Sequence, residues 1–310
     1  EIIDIRSQLR QASAVLPLDL RSVSTVSTVK PAGSPYQPSV LGSDITYMDD
    51  KEIRFRSTIG SGVACAVTSL ALANTVTLVP AGTLAKGNVL TSWFTPPAIN
   101  DTVFVFDPGS DAGALDDQWR PYRITAIVKS TTACAGSPFL VAGAAPGGDD
   151  GKDRWTLTLV GVSTSPSALP TSIGTGSVIR FTRSVVYGLY APSTGNAAAD
   201  TMYYLGYKTM QTSGSPILTA STLQASFDPI AGPFRRWSNG GATNGLAFTY
   251  YDSTGAAITN MANTSSVARV DVKLRGQGFE KKNAANMSSQ RDRTFFLDSL
   301  MLTIAVRNRA

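Results

Sequence analysis

Ile2, Ile5, Leu9, Ala12, Leu16, Leu20 and Val23 recur at steps of three and four, laying one apolar stripe along a helix predicted over residues 1 to 23. Glu1, Asp4, Arg6, Arg10, Asp19 and Arg21 fall off that stripe, so the helix is amphipathic, about six turns long. Pro17 lies inside it, removing one amide donor and predicting a local bend. No comparable stripe recurs later. Residues 24 to 43 are rich in Ser, Thr, Pro and Gly and read as a connector.

From residue 44 onward the period becomes two. Strands are predicted over 44–48, 52–57, 62–67, 75–80, 102–107, 122–129 and 155–162, each bounded by Gly, Pro or Asp. Short strands at this spacing build a small barrel or sandwich. A second run follows over 177–190, 202–210, 223–227 and 245–251, with Leu246, Phe248 and Tyr250 on one side. Over 267–275, Ala268, Val270, Val272 and Leu274 alternate with Arg269, Asp271, Lys273 and Arg275, a sheet with one wet face. Residues 294 to 306 are long enough to pair with it antiparallel. The eighteen residues from 276 to 293 read as a polar connection, too long for a tight hairpin.

Composition agrees with a strand-rich, turn-rich chain: 310 residues, 16% charged, with 27 Gly and 17 Pro. Such weakly charged chains are common outside the cell and in envelopes. Net charge is +5, and residues 269 to 309 hold nine Lys or Arg against four carboxylates, so the whole excess lies there. Within it Lys281, Lys282, Arg291 and Arg293 are candidate polyanion contacts, beside a bland reading as a solvated hairpin. Arg235, Arg236 and Trp237 add an aromatic and basic run that suits a nucleic-acid backbone.

The two cysteines, Cys65 and Cys134, would close a loop of about 70 residues and contribute about 4 kcal/mol in the chain-entropy model. Without histidine they cannot belong to a zinc site of nitrogen and sulfur ligands. A disulfide is the favoured reading over two unrelated buried thiols.

The chain has no histidine at all, which removes Ser-His-Asp and Cys-His nucleophiles and the commonest base near neutral pH. No phosphate loop or dinucleotide fingerprint is present. The expectation is a chain that is not an enzyme and needs no cofactor. Carboxylate clusters are the remaining candidates: Asp107, Asp111, Asp116 and Asp117 before Trp119, and Asp149, Asp150 and Asp153 before Trp155. Acids on turns suit calcium, and paired acids near Trp suit glycoside hydrolysis, but ordinary turn chemistry is the favoured reading of both clusters.

Leu9-Arg-Gln-Ala-Ser-Ala-Val-Leu-Pro-Leu-Asp-Leu-Arg21 resembles the lower half of the long first helix of type IV pilin-like proteins, specifically large minor pilins and pseudopilins. Gly245-Leu-Ala-Phe-Thr-Tyr-Tyr-Asp-Ser-Thr-Gly255, Val267-Ala-Arg-Val-Asp-Val-Lys-Leu-Arg275 and Val306-Arg-Asn-Arg309 are similar to that family's C-terminal sheet. The resemblance covers about a third of the chain. It implies an α+β, mostly β fold: a helix packed through Ile2, Ile5, Leu9, Leu16 and Leu20 on an antiparallel sheet, with a β-rich inserted barrel or sandwich. Residues 1–43 would form helix and connector, 44–175 the inserted module stapled by Cys65 and Cys134, and 176–310 the completing sheet. The family's prepilin-type cleavage signal and mature-terminus glutamate match no position here, so the expectation is a truncated chain whose apolar anchor lies upstream. The implied role is a structural subunit of a type IV pilus or type II secretion filament in the bacterial cell envelope. Its partners would be other pilin or pseudopilin subunits and, before assembly, the inner membrane. The alternative is a surface binding module for DNA or glycan.

Overall fold

The computed structural model describes residues 2–26, 43–69, 74–82, 84–85, 88–109, 117–132, 134, 137–141, 143, 148–162, 167–191, 203–209, 227–235, 244–283 and 293–309. The apolar stripe forms its helix: α1 spans Ile2–Arg21 and runs through Pro17, with Asp4 in its first turn and Arg21 in its last, both favourable to the helix dipole. It stops where the Ser22 amide and hydroxyl both bond to the Asp19 carbonyl, at 3.1 and 2.7 Å, satisfying an acceptor the helix leaves open.

Seventeen strands follow among the described residues, and the fold is α+β, mostly β, around a large antiparallel sheet. They are β1 (Ser24–Val26), β2 (Ile45–Met48), β3 (Glu52–Thr68), β4 (Asn74–Leu78), β5 (Leu84–Ala85), β6 (Asn88–Val89), β7 (Ser92–Trp93), β8 (Thr102–Asp107) and β9 (Gln118–Ser130). The series continues with β10 (Arg154–Gly161), β11 (Val178–Tyr190), β12 (Tyr203–Thr209), β13 (Asp228–Phe234), β14 (Leu246–Tyr251), β15 (Arg269–Asn283), β16 (Arg293–Ala305) and β17 (Arg307–Arg309).

One end of the sheet is β16 and β14 on β15, followed by β13, β12 and β11. From β11 the antiparallel pairings run to β8, β9, β10, β4 and β3, then back to β11, so six strands return on themselves. Val103, Val105, Tyr122, Ile124, Leu157 and Phe181 fill that ring. A separate core lies under the helix. There Ile5, Leu9, Ala12, Leu16, Leu20 and Val23 meet buried residues of β13, β15 and β16, together with Ile45, Met48, Ile53 and Phe55 from earlier in the chain. The two cores therefore divide within β3 and β11, which serve both. Ile2 lies on α1, but its side chain falls outside those described.

Close packing and three polar ties fix the helix. A Cβ on Gly276 would stand 2.5 Å from Ile5 Cγ2, so only glycine lets β15 approach α1 this closely. Arg6 pairs with Asp298 at 3.1 Å, the Gly232 amide donates to Gln8 Oε1 at 3.2 Å, and the buried Tyr187 hydroxyl donates to Asp19 at 2.7 Å. Just past the helix, β1 pairs parallel with β17. Cys65 and Cys134 form a disulfide, buried with Val79 at the ring.

Two details differ from expectation. Residues 52–57 and 62–67, read as two strands, are one: Gly60 and Gly62 mark close approaches, not a break, since a Cβ on Gly60 would strike the Ser92 carbonyl and Trp93. Residues 276–293 are not all loop, because β15 and β16 stay paired as far as Asn283 opposite Arg293. Backbone pairing needs no apolar side chain, so a polar sequence carries the ladder past the core. The strand expected over 223–227 falls mostly outside the described residues, and β13 follows it.

Leu16 and Leu18 lie on one helix with opposite fates, the first fully buried and the second 72% exposed. Leu16→Ala should cost about 2–5 kcal/mol in guanidinium unfolding, while Leu18→Ala should stay within about 0.5 kcal/mol; equal losses would contradict the packing direction. Replacing both cysteines by serine should cost about 2–5 kcal/mol, and an unchanged unfolding midpoint would show that the bond carries no stability.

Candidate functional site

Asp107 ends β8 with its carboxylate accepting hydrogen bonds from Arg120, Ser172 and the Gly109 amide. Burial alone raises this carboxyl's pKa, but the three donors together hold it below the ordinary carboxylate range. Asp111 and Asp116 lie outside the described residues, and Asp117 is half-buried just before β9. In the second cluster, Asp149 accepts from the Val141 amide at 2.8 Å and Lys152 Nζ at 2.9 Å, while its carbonyl accepts from Arg154 at 2.9 Å. Asp150 accepts from the Gly143 amide at 3.0 Å, and Asp153 is exposed. These acids tie loops to strands. Among the described residues no three His, Cys, Asp or Glu side chains gather into a metal-sized group.

The basic candidates sit at the far end of the β15–β16 ladder. Lys281 pairs with Phe295, Lys282 with Thr294 and Asn283 with Arg293, while Arg291 lies outside the described residues. The side chains of Lys281, Lys282 and Arg293 also fall outside them. Arg235 is placed, its amide bonded to the Arg275 carbonyl at 3.1 Å, whereas Arg236 and Trp237 are outside.

A different site emerges where the last turn of α1 passes the ring, a groove of about 700 Å³. Its floor is Thr58, Gly60 and Ser61 of β3, Ser92 and Trp93 of β7, and Val178 and Arg180 of β11. Leu18, Arg21 and Ser22 form one wall, and Phe94 and Trp119 also line it. Glycine at position 60 admits β7, and the Phe94 amide then bonds to the Ile59 carbonyl at 2.8 Å. Trp93 is held from behind, tilted on Trp155 at 5.0 Å and edge-on to Phe181 at 6.4 Å. Trp119 packs against Phe106 at 5.4 Å. Arg180 is fixed by Thr58 Oγ1 at 2.9 Å and Asp44 at 3.3 Å.

Three large apolar side chains face solvent around this groove: Leu18 at 72% exposure, Phe94 at 94% and Val178 at 42%. Among the described residues, two guanidinium groups and no carboxylate line it. Rings beside hydroxyls and a cation can stack, hydrogen-bond and attract an anion, but they supply no nucleophile and base pair. Sequence reasoning missed the site because its residues are scattered. The signals available were Leu18, apolar yet off the helix stripe, and the aromatic pair Trp93-Phe94 among Ser and Thr.

No family model, curated protein or solved structure matches the chain.

The lowered pKa of Asp107 sets an acid limit on stability. The unfolded carboxyl takes up its proton first as pH falls through about 4, so the contribution present at neutral pH is lost below that point. Asp107→Asn should lower stability at pH 7 and flatten the decline as pH falls below about 4. Unfolding midpoints across that range check it; parallel curves for the two proteins would remove Asp107 as a source.

Proposed function

We propose that the chain is a non-enzymatic structural subunit of a type IV pilus or type II secretion filament, a large minor pilin or pseudopilin. The observation that carries the reading is α1, its single apolar stripe laid across β13, β15 and β16 of an antiparallel sheet. One helix on one sheet is the arrangement that the resemblance implies. The parallel pairing of β1 with β17, just beyond the helix, favours it too, because it ties the chain's exit from α1 to the last strand. In this reading the six-strand ring is a β-barrel inserted into a pilin-like body, with the Cys65–Cys134 bond stapling it.

The mechanism is assembly by burial. An apolar segment upstream of α1 anchors the subunit in the inner membrane, then packs among neighbouring subunits once the filament forms. Among the described residues no helix is long and apolar enough to cross a membrane. A second reading, a surface module binding DNA or glycan, is favoured by the aromatic and cationic lining of the groove beside α1.

The test is the full reading frame expressed with a prepilin peptidase, read by intact mass before and after. Expected are an apolar run of about 20 residues feeding into α1 and loss of a short leader. Deleting the gene should then abolish filaments or secretion. A frame without that run, or filaments unaffected by the deletion, would overturn the filament reading.

A further inference from the structure

We propose that the groove beside the last turn of α1 binds a short acidic oligosaccharide, a neutral sugar face lying on Phe94 and Trp119 and a sugar carboxylate meeting Arg21. The inference rests on the binding-module reading and names its ligand class.

The lining chemistry selects the class. Phe94 is 94% exposed, and Leu18 and Val178 flank the same space, so apolar area lies open where a flat, partly apolar ring can cover it. Trp93 is backed by Trp155 and Phe181, so its ring is already oriented and binding loses little side-chain entropy there. Ser61 and Ser92 are exposed on the floor, and a serine hydroxyl both donates and accepts, as a sugar hydroxyl does. A volume of about 700 Å³ admits a few sugar rings.

Charge decides between saccharide and nucleic acid. Arg180 is tied to Asp44 and Thr58, which among the described residues leaves Arg21 as the exposed cation of the lining. One exposed cation matches one acid among neutral rings. A nucleic-acid strand instead brings a charge with every nucleotide and is bound along a basic track. An apolar contact with a second copy would leave the floor hydroxyls and Arg21 to be desolvated without matching partners.

The probes are sialyllactose, a trisaccharide with one carboxylate beside two neutral rings, neutral maltotriose and an oligothymidylate, titrated into the whole chain by calorimetry at low and at 150 mM salt. Sialyllactose should bind at least tenfold tighter than maltotriose and weaken with salt. Phe94→Ala and Arg21→Gln should each reduce its affinity by about tenfold while lowering the melting temperature by no more than about 3 °C, since both side chains are exposed and Arg21 loses at most its favourable place at the helix C-terminus. Equal binding of the neutral sugar would overturn the assignment of the acid. Oligothymidylate binding through the same two residues, with no sugar binding, would overturn the saccharide while leaving a binding module. Binding of no probe, or self-association lost in Phe94→Ala, would overturn both.

Discussion

The constraint on which the structure depends is the long antiparallel ladder between β3 and β11, running from Val63 opposite Val178 to Glu52 opposite Gly188. It crosses both cores. On β11 the same face supplies Ile179 and Phe181 to the ring and Val185, Tyr187 and Leu189 to the helix side, all at odd positions. On β3 the parity changes: Ile53 and Phe55 serve the helix side, but Ala64 serves the ring. The change occurs because Thr182 faces Thr58 and Phe181 faces Gly60, leaving Ile59 as an extra residue. A β-bulge shifts the alternation by one, so a single strand can keep its apolar set inward in both cores.

That bulge also builds the groove. An inserted residue leaves its backbone groups outside the ladder, and here the Ile59 carbonyl is taken by the Phe94 amide. The segment carrying Trp93 and Phe94 is thereby clamped to β3 at Gly60, the one place where a missing side chain lets it approach. On the other side α1 arrives at an angle set by Gly276, Asp298 and Tyr187, the first two far from every groove residue in sequence and the third a few residues past Arg180 on β11. Leu18 and Arg21 face the groove because the stripe beside them is buried.

Much of the fold was legible in the sequence because its signals are local. A stripe at steps of three and four is visible within twenty residues, and so is the alternation of residues 245–251 and 267–275. What was not legible depends on distant partners. Gly60 and Gly62 read as a break because sequence shows only the missing side chains, not Trp93 or Phe181 filling the space. Asp107 reads as one of four neighbouring acids, yet two of its partners, Arg120 and Ser172, come from beyond that cluster. The groove combines residues near 20, 60, 93, 119 and 179, and no window of the sequence holds them together.

The same pairing explains where the charge goes. Asp44 takes Arg56 and Arg180, Asp101 takes Arg183, Asp107 takes Arg120 and Asp149 takes Lys152, so acids of the body face its own cations inside it. Such partly buried pairs add little net stability over apolar packing, but removing one member leaves a charge without compensation, so they fix register more than they strengthen it. Their consequence lies at the surface. With Asp44 turned inward to hold Arg180, the groove keeps a guanidinium in place without presenting an acid to solvent. The positive excess of the chain lies after residue 268, on strands whose polar ends extend past the helix core. The groove is therefore cationic by local arrangement, not by the net charge of the molecule, and a ligand drawn to it must match its rings as well as its sign.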